Sequence, residues 1–111
     1  MQDWVKELPV AITVCDKDAI VLEMNDKAAE TFSKQGGKAL IGTSLFDCHK
    51  PHSCEVIKAM LASGEPNTYT ISKNGQKKMI HQQPWYIEGE VAGLVEFSIV
   101  LPDDMKHYDR G

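Results

Sequence analysis

Cys48, His49, His52 and Cys54 fall in one short segment, Asp47-Cys48-His49-Lys50-Pro51-His52-Ser53-Cys54. Two thiols and two imidazoles are the ligand types of a tetrahedral zinc. Their crowding argues against such a site. Zinc fingers and ribbons place ligands in two separated pairs, and adjacent side chains such as Cys48 and His49 point apart. The alternative is a turn, stiffened by Pro51, in which His49 and His52 bond exposed backbone groups at the start of a helix. Cys54 follows Ser53, a helix N-cap type, and the first turn of a helix favours a thiolate. A redox thiol with Cys48 as its partner would fit there, and so would a small buried hydrophobe. Cys15 reads as packing or pocket wall. His81 shares strand parity with Met79 and Gln83. On an inner face it would orient a ligand; on an outer face it would be a solvated sheet residue.

Catalytic signatures are missing. The chain has no P-loop, no Gly-x-Gly-x-x-Gly, no Gly-x-Ser-x-Gly and no His-Glu-x-x-His. The composition narrows the field further. With 111 residues the chain is expected to form one domain spanning 1–111. Twelve Lys and Arg against sixteen Asp and Glu give a net charge of −4. That balance argues against nucleic-acid binding through phosphates and against a polybasic membrane anchor. No apolar run reaches the length of a spanning helix, and residues 1–9 lack a signal-peptide core, so a cytoplasmic protein is expected. The three cysteines do not suggest a disulfide scaffold.

The elements that must position these residues follow from periodicity. Trp4, Val5 and Leu8 give residues 1–8 the pattern of an amphipathic helix ended by Pro9. Val10–Cys15 and Ile20–Asn25 alternate with period two and form a hairpin across Asp16-Lys17-Asp18. Asn25 and Asp26 are both N-cap types for a helix from Asp26 to about Ser33 that carries Ala28, Ala29 and Phe32. Short helical turns are expected over Lys38–Leu45. Val56, Ile57, Met60 and Leu61 make one stripe of a helix over Ser53–Ser63, with Ser53 as its cap and Gly64 as its stop. Strands follow over Thr68–Ser72, Lys77–Ile87 and Ala92–Leu101. Asn74-Gly75 is a strong hairpin signal, and Pro84 demands an edge-like position or an irregularity. The order is β-β-α-α-α-β-β-β. A five-stranded antiparallel sheet closes if the first strand pairs with the last, leaving the helices on one face: an α+β fold.

This order and several segments resemble a PAS domain. The carriers are Leu8-Pro9-Val10-Ala11-Ile12, Asp16, Met24-Asn25-Asp26-Lys27-Ala28-Ala29 and Leu40-Ile41-Gly42. They continue through Met60 to Gly64-Glu65, Asn74-Gly75 and Gly89-Glu90-Val91-Ala92-Gly93-Leu94-Val95-Glu96. More narrowly, the segment from Cys48 is similar to the Cys-His-Pro-type segment of a subset of bacterial PAS modules, here interrupted by Lys50. The resemblance implies a sensory or interaction module whose pocket, between helices and sheet, holds a small molecule, haem, flavin or nothing. It implies that His49 or His52 could be a haem axial ligand. The Asn-Cys-Arg core of flavin photosensors is absent, which argues against a blue-light flavin sensor.

The reading is therefore a non-enzymatic, cytoplasmic, PAS-like module of bacterial signal transduction. It binds a small molecule or an unidentified signalling protein, and it forms a homodimer. Cys48, His49, His52, Met24, Phe32, Met60, His81 and Phe97 are the candidate ligand-binding residues. Ile12, Val14, Leu22, Leu45, Ile57, Leu61, Ile71 and Ile99 are further candidate lining. Cys48, His49, His52 and Cys54 are the candidate metal ligands. The rival readings are a ligand-free interaction and dimerisation module, and a haem or metal sensor built on His49 or His52.

Overall fold

The computed structural model describes residues 1–111, except for the side chain of Cys48. A short helix, α1 (Asp3–Lys6), leads into β1 (Ala11–Asp16) and β2 (Val21–Met24). Helix α2 (Asp26–Thr31), two 3-10 turns (Ser33–Gln35 and Gly37–Leu40), α3 (Leu45–Cys48) and α4 (Pro51–Ser63) follow. Strands β3 (Asn67–Lys73), β4 (Gln76–Ile87) and β5 (Glu90–Leu101) complete the chain. The strands form one antiparallel sheet in the order β2-β1-β5-β4-β3, so the first strand does pair with the last. No helix among the described residues is long and apolar enough to cross a membrane.

The hairpins follow their turn chemistry. Asn74 and Gly75 have φ of 52° and 75°, and Glu88 and Gly89 have 51° and 83°. Two consecutive left-handed residues make the tight turn whose twist suits a hairpin. In the first hairpin Asp16 Oδ1 accepts from the amides of Asp18 at 2.8 Å and Ile20 at 3.0 Å. Pro84 finds the edge position its missing N–H requires: β3 pairs with β4 only as far as Asn67 and Gln82, so beyond that point β4 has β5 as its one neighbour.

Asn25 ties these parts together. It is fully buried, and its side-chain oxygen accepts from the amides of Ile12 and Ala28, each at 3.0 Å. Its side-chain nitrogen donates to the carbonyls of Val5 at 3.1 Å and Val10 at 2.7 Å. Asn25 is thus the N-cap of α2 and also the clasp between the N-terminal segment and the β1–β2 hairpin. Asp26 is not a second cap. It is the first residue of the helix and lies at the surface, 3.4 Å from both Lys6 and Lys38. Desolvation tends to raise its carboxyl, but hydrogen bonds and charge from Lys38 and Lys6 outweigh this and hold it below the ordinary carboxylate range.

Two other sequence expectations shift. Helix α4 begins at Pro51, which takes the first helical position, where a missing N–H costs nothing. Ser53 is therefore inside the helix and caps nothing, and the Cys54 amide already bonds the Lys50 carbonyl at 3.0 Å. The N-terminal helix is one turn long; Val5 is buried whereas Trp4 is 73% exposed, so the two do not share a buried stripe.

Two bulges set the sheet's faces. Between Cys15–Val21 and Val14–Glu23 the register skips Leu22, and between Trp85–Gly93 and Tyr86–Val91 it skips Ala92. A bulge adds one residue and so reverses the parity of the strand beyond it. The second bulge abuts a tight approach between strands. A Cβ on Gly93 would fall on the Cys15 carbonyl oxygen and 2.6 Å from Trp85 Nε1, the group that donates to that same oxygen at 3.0 Å.

Three outcomes test this frame by chemical denaturation. Asn25→Ala removes four hydrogen bonds to the backbone, leaving the Ile12 and Ala28 amides and the Val10 carbonyl without the side-chain partner, and costs about 3–5 kcal/mol. Asp26→Asn shifts the midpoint far less. Because its folded-state carboxyl is lowered, its contribution is present above the ordinary carboxylate value and vanishes as pH falls through the folded one. Gly93→Ala costs about 3 kcal/mol or more, through overpacking against Cys15 and Trp85.

Candidate functional site

The helices and the sheet do not close completely on one another. One buried cluster, around Cys15, Ala19, Ile57, Met60 and Leu94, joins α4 to the sheet. Another, around Ala11, Val21, Met24 and Ala28, joins α2 to β1 and β2. Residues of both clusters line a cavity of about 510 Å³, within the ~300–1,000 Å³ range of small-molecule sites. Its helical wall is mostly apolar: Phe32, Leu40, Leu45, Val56, Ile57 and Met60. His49, His52 and Ser53 stand on the same wall, and both imidazoles belong to exposed residues.

The sheet wall is different. Asn67 pairs with Gln82, Gln82 with Glu96, Glu96 with Thr13 and Thr13 with Met24. All five line the cavity. They form one row running from β3 to β2 across the whole sheet. Within it Asn67 Nδ2 donates to Gln82 Oε1 at 2.9 Å, and Gln82 Nε2 donates to Glu96 Oε2 at 2.8 Å. Tyr69 flanks the row on β3, and Cys15 flanks it on β1. Burial pushes the Tyr69 phenol up, and the Glu96 charge adds to the shift. Burial also pushes the Cys15 thiol up, against a backbone hydrogen bond at Leu94 that works the other way. Both groups are therefore neutral at physiological pH, which suits walls rather than nucleophiles.

Of the candidate ligand-binding residues, Met24, Phe32, His49, His52 and Met60 share this cavity, and so do Cys15 and, from the further lining, Leu45 and Ile57, whereas Leu61 and Ile99 do not. Cys48 lies outside the described side chains. His81 and Phe97 do not line it. They pair directly across β4 and β5, one position from the Gln82–Glu96 pair, and so project from the opposite face. There the two rings stack with centroids 6.4 Å apart, and His81 Nδ1 lies 2.7 Å from Thr68 Oγ1. Ile12, Val14 and Phe97 line a groove on that outer face with Trp4 and Val5. Leu22, skipped by the first bulge, is 42% exposed, and Ile71 is 38% exposed on the edge strand β3, close to its hairpin turn.

The thiol and metal readings are narrower than the sequence implied. Cys54 does not line the cavity; its Sγ lies 3.6 Å from the carbonyl oxygens of Phe46 and His49. Among the described residues no three His, Cys, Asp or Glu side chains gather as metal ligands. His49 Nδ1 sits 2.7 Å from the Leu45 carbonyl, a contact that fixes the ring against α3.

Asn67, Gln82, Glu96 and Tyr69 escaped the sequence reading. Half of the row was within reach, because the Asn74-Gly75 turn by itself pairs Asn67 with Gln82. The other half depends on the Ala92 bulge. Without it, Gln82 would stand opposite Val95 and Glu96 would fall on the outer face.

The family profile for the PAS fold matches residues 1–98. Among solved structures, the PAS domain of the histidine kinase ThkA is similar, with 21% identity and a TM-score of 0.66 over 81% of this chain and 97% of that one. The Aer2 receptor from Vibrio cholerae, described as a dual PAS-heme oxygen sensor, aligns at 14% identity and a TM-score of 0.64, covering 84% of this chain and 95% of that one. The PAS domain of BvgS from Bordetella pertussis aligns at 21% identity and a TM-score of 0.60, covering 90% and 82%. Among curated proteins none matches the chain. A profile spanning nearly the whole sequence, on a sheet with the strand order and helical cover described above, settles the family: this chain belongs to the PAS domains.

Proposed function

We propose that this PAS domain is a sensory module of bacterial, cytoplasmic signal transduction that binds a small molecule between its helices and its sheet. One observation carries the reading: a cavity of about 510 Å³ with an apolar helical wall facing a hydrogen-bonding row on the sheet. Natural cores of this size fill such space with side chains. A cavity that keeps both an apolar wall and a few convergent polar groups has the make-up of a ligand site. Occupancy would act on α4, because His52, Ser53, Val56, Ile57 and Met60 face the cavity along one side of that helix. A shift of the helix as a unit would then reach the sheet through Cys15 and Leu94, and from there a partner protein.

The outer face supports a second reading, self-association. Ile12, Val14 and Phe97 are apolar and share a groove with the N-terminal segment, beside which Trp4 is 73% exposed. A second copy of the chain would cover that ring. Light scattering at high micromolar concentration is expected to give twice the monomer mass of 12.4 kDa; a monomer mass contradicts the self-association reading.

Native mass spectrometry and visible absorption test the ligand reading. The purified protein, or the protein mixed with a fragment library, is expected to show a retained small molecule. At a hundredfold excess over Kd the bound form gains about 2.7 kcal/mol in stability. Val56→Trp, which fills the cavity, is expected to abolish retention while the fold persists. An intense Soret band, lost in His49→Ala or His52→Ala, would make the ligand haem. An empty cavity that binds no fragment contradicts the proposal.

A further inference from the structure

We infer that the molecule held in this cavity is an organic cation, an amine or amidine with an apolar body, whose N–H groups bind Glu96. The inference rests on the reading of the cavity as a ligand site and names the ligand's charge.

The direction of the hydrogen bonds in the row carries it. Asn67 donates to Gln82 and Gln82 donates to Glu96, so every donor in the chain points the same way and Glu96 is the terminal acceptor. Gln82 occupies Oε2 only. No hydrogen bond or ion pair engages Oε1 among the described residues, and no described side-chain polar atom is sealed in the interior without a partner. Oε1 is therefore reachable, and Glu96 lines the cavity.

Among the described residues no Lys or Arg lines the cavity. Its bases are His49 and His52 on the helical side; its other titratable groups are Tyr69 and Cys15, both neutral because burial raises them. A carboxylate in a partly desolvated cavity attracts a cation more strongly than it would in water, and repels an anion by the same factor. A charge-assisted N–H···O bond adds direction. Opposite Glu96, the apolar side chains of Phe32, Ile57 and Met60 leave room for a hydrocarbon or aromatic body. The site so built selects a molecule with one cationic, donor-bearing end.

Titration calorimetry with matched probes tests this. One set is 2-phenylethylamine, 2-phenylethanol and 3-phenylpropanoate; a second is hexylamine, hexanol and heptanoate. In each set the amine is expected to bind at least about tenfold more tightly than the alcohol, with the carboxylate weakest. Glu96→Gln is expected to erase the amine's advantage while the alcohol's affinity stays within about twofold. Gln82→Met, which cuts the row but keeps the carboxylate, is expected to retain it. In the wild type, added salt should weaken the amine and leave the alcohol unchanged, an arm that needs no variant to fold. A carboxylate that binds as well as its amine, or an amine advantage that survives Glu96→Gln, overturns the inference. Alcohols and amines of equal affinity overturn it while leaving the cavity a ligand site. Failure of every probe overturns both.

Discussion

One buried amide organises this domain. Asn25 has two acceptor positions on its oxygen and two N–H groups, and each meets a backbone partner: Ile12, Ala28, Val5 and Val10. A buried polar side chain is tolerable only when so fully satisfied, and that demand makes it specific. It fixes where the N-terminal segment lies, where β1 begins and where α2 starts, all from one position at the end of β2. The Asn25 main chain adds to this, since its amide donates to the Ile12 carbonyl at 3.1 Å. With α2 anchored there, Phe32 and Leu40 pack against the Ala11, Val21, Met24 and Ala28 cluster and line the cavity beside it.

The strand order, the hairpin turns and the stripe of α4 are legible in the sequence, because each rests on the chemistry of its own residues. Asn74-Gly75 needs left-handed backbone, Gly64 takes φ of 75° at the end of α4, and Pro84 needs an unpaired amide. The inner face of the sheet was not legible, for a physical reason. Period two tells which side chains share a face, not which face is covered. The more apolar parity, Ile12, Val14, Phe97 and Ile99, invited the assumption that it faces the helices. The helices instead cover the other parity, which carries Thr13, Gln82 and Glu96. Phe97 is a pocket candidate on that assumption, whereas parity leaves both faces open for His81, and both residues lie on the outer face. In α4 the helical period carries no such ambiguity: Ile57 and Met60 are buried as their stripe requires.

That inversion is what makes the cavity a candidate site. Had the other parity faced inward, Ile12, Val14, Phe97 and Ile99 would have met the helices, and His81 and Gln83 rather than the Gln82–Glu96 pair would have been the polar groups there. With Asn67, Gln82 and Glu96 turned inward, part of the interior must satisfy hydrogen bonds, and the row does so along its own length until it ends at Glu96. The two bulges produce the arrangement, and Gly93 permits it by letting Cys15 and Trp85 approach beside the second bulge. The apolar outer parity is left for the N-terminal segment, which covers only part of it.

A small molecule bound between the helices and the inner sheet face would touch methionine side chains on both walls. The methionine methyl groups report on it directly. Met24 and Met60 line the cavity, one on each wall, whereas Met79 pairs with Ile99 on the outer parity. In a methyl NMR spectrum of protein labelled at methionine, saturating amounts of a bound fragment should move the Met24 and Met60 signals together and leave Met79 in place. Movement of Met79 alone, with Met24 and Met60 unchanged, would put binding on the outer face and contradict the account.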